Sequence, residues 1–96
     1  MRTADRARIE RRLLAAEDIV ARRAMTRVLD MIRAELDQLS LEVMRAVDRA
    51  GRSRAAPRDA VGVLLREIAT VDAALAERYG RAVGIEVPVP STAPRG

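Results

Sequence analysis

The fold is decided by residues 25–50, which read MTRVLDMIRAELDQLSLEVMRAVDRA. Apolar residues recur there in steps of four and three, the spacing that keeps one stripe of a helix facing a partner helix. This seam consists of Met25, Leu29, Ile32, Leu36, Leu39, Val43, Ala46 and Ala50. Because neither Pro nor Gly occurs between Thr3 and Ala50, we predict one continuous helix over residues 3–50.

A second, shorter helix follows a short linker. Gly51 ends the first helix and Pro57 suits the first turn of the next, which predicts a helix over residues 57–79. Its seam consists of Val61, Leu64, Ile68, Val71, Leu75 and Tyr79. Two helices joined by a short linker pack antiparallel. We therefore predict an all-α helical hairpin over residues 1–84 that forms an oligomerisation domain.

The proline-rich tail, residues 85–96, is predicted to be extended and flexible. Its first part, residues 85–90, is apolar enough to dock in a groove, so a docked tail and a free tail both remain open.

Residues 1–24 carry a separate apolar stripe that does not share the frame of the seam. It consists of Ile9, Leu13, Ala16 and Val20, and the register shifts near Arg22 and Arg23. The shorter helix covers only the later part of the longer one, so this stripe has no partner within the chain, and an isolated amphipathic helix is marginal in water. We expect the stripe to pack on another copy, giving a homo-oligomer. Two alternatives remain: residues 1–24 stay mobile until a different partner binds, or the helix breaks near Arg22 and Arg23.

The composition argues against catalysis. The chain has no His, Cys or Lys, which excludes zinc held by Cys and His and removes the commonest general base. No phosphate-binding or dinucleotide glycine motif is present. We predict a non-enzymatic protein without cofactor or metal. The absence of a long apolar run and the charged start of the chain predict no membrane contact and a cytoplasmic location, which is the host cytoplasm if the protein is viral.

The net charge of +4 is concentrated at the two ends of the predicted hairpin. The candidate nucleic-acid-binding residues are Arg2, Arg6, Arg8, Arg11 and Arg12 at one end, and Arg49, Arg52, Arg54 and Arg58 at the other. Guanidinium groups pair well with phosphate oxygens. Because no aromatic residue is interleaved with them, base stacking is not expected. These residues predict contact with the backbone of duplex DNA.

Two amphipathic patterns, VLDMIRAELD over residues 28–37 and VGVLLREIATVDAAL over residues 61–75, resemble the hairpin of the small terminase subunits of tailed phages that infect actinobacteria. The resemblance implies a ring-forming DNA-packaging component that recognises DNA and loads a larger partner, the large terminase subunit. This chain lacks a separate helix-turn-helix module before the hairpin, so DNA contact would come from the arginines. Two other functions remain open: a structural or regulatory protein that binds only protein (a virion connector, scaffold or inhibitor), and a nucleoid-type coating protein.

Overall fold

The computed structural model describes the backbone of residues 3–87 and the side chains from Asp5 onward. Four α-helices follow in order: α1 over Thr3–Ala34, α2 over Leu41–Gly51, α3 over Pro57–Ala69 and α4 over Ala73–Ala82. A short 3-10 turn at Leu36–Gln38 lies between α1 and α2. The described residues contain no strand, which confirms the all-helical prediction.

The predicted single helix over residues 3–50 is wrong, because α1 ends at Ala34. Leu39 and Ser40 are extended, and the Ser40 hydroxyl accepts a hydrogen bond from the Val43 amide at 3.2 Å. A serine that caps a new helix satisfies one of the amides that the helix start leaves free, and this competes with continuation of the old helix. Leu36, expected on the seam, is 48% exposed as a result. The alternative break near Arg22 and Arg23 is also wrong, since α1 runs through both.

The predicted helix over residues 57–79 is likewise divided. α3 ends at Ala69, and Asp72 begins α4 by accepting a hydrogen bond from the Leu75 amide at 3.0 Å. The Thr70 hydroxyl donates a hydrogen bond to the Glu67 carbonyl oxygen at 2.6 Å. Val71, predicted to lie on the seam, is exposed in the turn between the two helices. Residues 3–87 therefore form four α-helices where the sequence predicted two.

The core is built around α3, which packs against each of the other three helices. Its members are Val28, Ile32, Val43, Val61, Leu64, Leu65, Ile68, Ala69, Leu75, Ala76 and Tyr79. Tyr79, the one aromatic residue of the chain, is fully buried. Burial of each large aliphatic side chain contributes about 1.5–3 kcal/mol, so this cluster is the main source of folding stability. We refer to the core-packed part of the molecule, α2 to α4 with the C-terminal half of α1, as the body.

The N-terminal half of α1 projects from the body. At about 1.5 Å per residue the 32 residues of α1 span roughly 48 Å, close to the longest dimension of the molecule, 53 Å. The radius of gyration is 16.3 Å, against about 12.5 Å for a compact chain of this length. The first residue of α1 that is buried against the body is Ala21.

The chain after α4 folds back onto the body. Gly84 has φ +72°, the Ile85 amide donates to the Gly80 carbonyl at 2.8 Å, and the Gly84 amide donates to the Arg81 carbonyl at 3.3 Å. This is a Schellman motif, which suits a glycine in the left-handed region. Ile85 and Val87 then pack against the core. The start of the predicted flexible tail is thus docked, and residues 88–96 lie outside the described part of the chain.

Within residues 3–87, no helix is both long enough and apolar enough to span a membrane.

Candidate assembly and nucleic-acid surface

The four apolar residues predicted to form an oligomer interface are all exposed. We call Ile9, Leu13, Ala16 and Val20 the assembly stripe. Leu13 is 59% exposed and Val20 is 65% exposed, and Ile9 and Ala16 are also classed as exposed. Leu14 and Ile19, which the sequence analysis did not single out, are exposed as well. No residue between Asp5 and Val20 is buried.

The assembly stripe lies on a different face of α1 from the residues that pack on the body. Successive residues of an α-helix are about 100° apart, which places the stripe about 100° around the axis from Ala21, Val28 and Ile32. α1 is unbroken between the two faces. The register shift seen near Arg22 and Arg23 in the sequence therefore marks the point where the apolar side of one unbroken helix turns from the exposed stripe to the face that packs on the body.

An open groove of about 570 Å³ is formed by part of the assembly stripe (Leu13, Ala16 and Val20) together with the start of α3 and the chain after α4. Ala21 and Ala24 of α1, which have small side chains, are among its lining residues, as is Val61 of α3. Its lining consists of Leu13, Ala16, Glu17, Val20, Ala21, Ala24, Arg58, Val61, Val83, Gly84 and Ile85. The α1 groove is mainly apolar, with the two charged groups Glu17 and Arg58 among its lining residues.

The predicted arginines at the start of α1 are free in the described part of the chain. Arg6, Arg8, Arg11 and Arg12 are exposed, and none forms an ion pair within residues 3–87. We call these four the N-terminal arginine cluster. Arg2 was predicted to belong with them and lies outside the described residues.

The second predicted group of arginines is divided by the structure. Arg49 pairs with Glu67 of α3 at 3.1 Å, and Arg52 pairs with Asp48 at 2.8 Å. Arg54 is exposed in the loop between α2 and α3, and Arg58 lines the α1 groove. Since two of the four are already neutralised by carboxylates, this end of the molecule offers less free positive charge than the sequence predicts.

Sequence reasoning missed an extension of the basic surface along α1. Ile19, Arg22, Arg23 and Arg27 line a shallow depression on the side of α1 that faces away from the α1 groove. At about 100° per residue, Arg22 and Arg23 lie within about 60° of Arg8 around the helix axis. The helical angle of each arginine, instead of its position in the sequence, is the signal that would have joined them.

A hydrogen-bonded cluster joins the C-terminal end of α1 to α4. The Glu35 carboxylate accepts from Arg78 at 2.6 and 2.9 Å and from the Tyr79 hydroxyl at 2.5 Å. The bonds from Arg78 and then Tyr79 hold the pKa of Glu35 below its ordinary value, with burial opposing them in part. Burial and the Glu35 bond raise the pKa of Tyr79. Each polar group here has a partner, so the cluster is a structural clamp.

The acidic side chains of the described residues do not come together in a cluster that could hold a metal ion. No group of three or more His, Cys, Asp or Glu residues is placed to hold a metal ion within residues 3–87. Of the acidic residues near the end of α1, Asp30 pairs with Arg33 at 3.6 Å and Glu35 belongs to the clamp. The features of this surface that could carry a function are thus an apolar stripe, a groove and a basic cluster, all of which suit binding.

Comparison with known proteins adds no family to this description. No protein-family model, curated protein or solved structure matches the chain. The resemblance to small terminase subunits therefore stays a prediction drawn from the two amphipathic patterns.

Proposed function

We propose that this protein is a non-enzymatic, homo-oligomeric helical adaptor that assembles through the assembly stripe and presents the N-terminal arginine cluster to the backbone of duplex DNA. In the form suggested by the sequence resemblance, it is a DNA-packaging component similar to a small terminase subunit, and it also binds a larger protein partner. The observation that carries the proposal is the exposure of Ile9, Leu13 and Val20 on a half-helix that no other part of the described chain covers.

Burial of the assembly stripe alone contributes too little free energy for a stable assembly. Complete burial of such a side chain contributes about 1.5–3 kcal/mol, so covering the exposed half of Ile9, Leu13 and Val20 contributes about 1 kcal/mol each. Two copies gain about 6 kcal/mol in this way, near the lower end of the roughly 4–15 kcal/mol cost of association. A stable assembly therefore needs further contact, which the α1 groove offers.

The DNA-binding part of the proposal is supported by charge and by the absence of available aromatic rings. Arg8, Arg11 and Arg12 are exposed and lie at the end of α1 far from the body. In an oligomer this charge is multiplied by the number of copies, and release of counterions makes phosphate binding steeply dependent on salt. Tyr79 is fully buried, so no aromatic ring is available to stack on a base.

The decisive experiment measures molar mass in solution by light scattering, with and without duplex DNA, over a range of salt concentration. We expect an oligomer that retains DNA at low salt and releases it as salt rises. The double substitution Leu13→Ser and Val20→Ser is expected to give a folded monomer, whereas Ala15→Ser on the opposite face of α1 leaves the mass unchanged. A monomeric wild-type protein at high concentration would refute the proposed assembly.

A structural or regulatory protein that binds only protein is the second candidate. The ion pairs Arg49–Glu67 and Arg52–Asp48 favour it, because they reduce the free positive charge at the loop end. Reversing Arg8, Arg11 and Arg12 to Glu distinguishes the two. It abolishes function if DNA is the ligand, and it leaves partner binding intact in a virion connector, scaffold or inhibitor.

A nucleoid-type coating protein is a third candidate, and it differs from the packaging adaptor in the partners that it binds. Such a protein would share the salt-dependent binding of duplex DNA but would not bind a large terminase subunit. A pull-down of the oligomer with that subunit is the measurement that tells the two apart.

A further inference from the structure

The assembly stripe has chemically different flanks. At about 100° per residue, Glu10 and Glu17 lie on one side of it, and Arg12 and Ile19 lie on the other. The α1 groove is on the first side, since Glu17 and Ala24 line it. Ile19, which is 52% exposed, lines the depression on the second side. An apolar cavity therefore lies on one flank and an exposed apolar side chain on the other.

We propose that a second copy of this chain packs its α1 parallel to the first along the assembly stripe, and that Ile19 of each copy enters the α1 groove of the other. The proposal rests on the self-association described above and adds the direction of the helices and the occupant of the groove.

Charge complementarity favours the parallel direction. In a parallel helix pair, a residue on one flank faces a residue about five positions further along on the opposite flank of its partner. Arg12 then meets Glu17 of the second copy, and the contact occurs twice by symmetry. In the same arrangement Asp5 approaches Glu10, and Arg6 of one copy approaches Arg6 of the other. Both contacts lie at the exposed end of the helix pair, where salt and water screen the repulsion.

The antiparallel direction brings like flanks together. Glu10 of each copy then faces Glu17 of the other, and like charges in direct opposition destabilise a helix pair. Ile19 is left on the outer side, away from either groove. This direction therefore has repulsion where the parallel one has attraction, and it leaves both grooves without an apolar occupant.

The shape of the molecule permits the parallel pair. A two-fold axis parallel to α1 places the two bodies on opposite sides of the helix pair, so they do not collide. Each α1 groove then faces the Ile19 flank of the other copy, and Ile19 lies level with Ala24, whose small side chain leaves the space. The N-terminal arginine clusters of both copies come together at one end, which doubles the charge available to a phosphate backbone.

Cross-linking determines the direction, because the chain contains no cysteine of its own. Ile9 and Val20 are about 16 Å apart along α1, whereas a disulfide joins residues whose Cα atoms lie within about 7 Å. In a parallel pair, a cysteine at position 9 therefore cannot link to a cysteine at position 20 of the other copy. The full chain carrying Ile9→Cys or Val20→Cys is equilibrated in a glutathione redox buffer, alone and as a mixture in which one variant bears a size tag. The parallel pair predicts that each variant links to itself and that the mixture forms no tagged–untagged dimer.

An antiparallel pair gives the reverse result, with linkage only in the mixture. Ala15→Cys, on the far face of α1, is the matched control and is expected to stay reduced in both cases. The parallel arrangement is overturned if disulfides form only in the mixture, or if the protein is oligomeric but no stripe cysteine forms a disulfide. In both cases the proposed self-association still stands. A protein that remains monomeric by light scattering overturns the proposed function together with it.

Exchanging the charges at positions 12 and 17 provides an independent test of the helix direction. Glu17→Arg is expected to weaken dimerisation by roughly two- to thirtyfold, as for loss of the two symmetry-related exposed ion pairs, and adding Arg12→Glu restores it. In an antiparallel pair Glu17→Arg removes a repulsion, so the dimer tightens. Ile19→Ser is expected to weaken dimerisation with unchanged monomer folding by circular dichroism. A dimer that tolerates Ile19→Ser overturns the assignment of the groove.

Discussion

Removal of the Tyr79 hydroxyl tests the clamp that fixes the end of α1 to α4. In Tyr79→Phe the ring stays in the core and still faces the Arg78 guanidinium, whose carbon is 5.1 Å from the ring centre. Only the hydrogen bond to Glu35 is lost. A hydrogen bond to a charged group contributes about 1.5–3 kcal/mol, and because Glu35 is partly exposed we expect the lower end, about 1.5 kcal/mol. At about 4–8 °C per kcal/mol for a domain of this size, the midpoint of thermal unfolding falls by about 6–12 °C.

The assay is urea unfolding followed by circular dichroism at several pH values. The pKa of Glu35 is lowered in the folded protein, so its contribution to the free energy of unfolding is present above the ordinary glutamate pKa of about 4.3 and is lost as the pH falls through the folded value. Tyr79→Phe removes one of the bonds that lower this pKa. The difference between wild type and variant is therefore expected to be constant near neutral pH and to shrink below about pH 4.

Two control variants define the result that would refute this reasoning. Glu77→Gln breaks the exposed pair of Glu77 with Arg81 on the same helix, and it is expected to change stability little. Glu35→Gln combined with Tyr79→Phe completes a double-mutant cycle, in which the two changes are expected to be non-additive. Additive effects, or a Tyr79→Phe loss that does not diminish in acid, would show that the hydroxyl does not act through Glu35.

Three further substitutions test single positions within the helices and at their ends. Gly62→Ala is expected to stabilise the protein by about 0.4–1 kcal/mol in urea unfolding, because a Cβ at this position of α3 meets no atom within 4 Å. Gly80→Ala is expected to destabilise by about 1–3 kcal/mol and to release Ile85 and Val87 to limited proteolysis, because its Cβ would lie 2.5 Å from the Ile85 carbonyl oxygen. Ser40→Ala removes the cap of α2 and is expected to cost about 1 kcal/mol by the same unfolding assay.

The helical class and most of the core could be predicted from the sequence because the apolar spacing is regular wherever a helix packs on the body. The helix breaks could not, because the prediction looked for Pro and Gly, and both breaks lack them. Ser40 and Asp72 end one helix by capping the next, and each is a polar residue followed by an apolar run that fits a helix start equally well. The sequence pattern placed Leu36 and Val71 on the two seams, but both are exposed at the helix breaks.

The candidate surface was predictable to the extent that it depends on one helix. The assembly stripe and the N-terminal arginine cluster lie within α1, so the helical period places them without tertiary information. The α1 groove could not be predicted, because it is formed by three segments far apart in sequence, represented by Ala24, Val61 and Ile85. Pairing of Arg49 with Glu67 likewise depends on how α2 lies against α3.

The division of α1 into two faces separates the residues that stabilise the fold from those of the proposed assembly. The C-terminal half contributes Val28 and Ile32 to the core, whereas Leu13 and Val20 of the N-terminal half are more than half exposed and belong neither to the core nor to the residues packed against it. A change in the stripe is therefore expected to alter the folding stability of the single copy little, whereas a change in the core acts first on the body. Because α1 passes unbroken from one half to the other, the body fixes where the stripe points. The unbroken helix between Ala21 and Val28 thus fixes the direction of the exposed apolar surface relative to the body, as the proposed assembly requires.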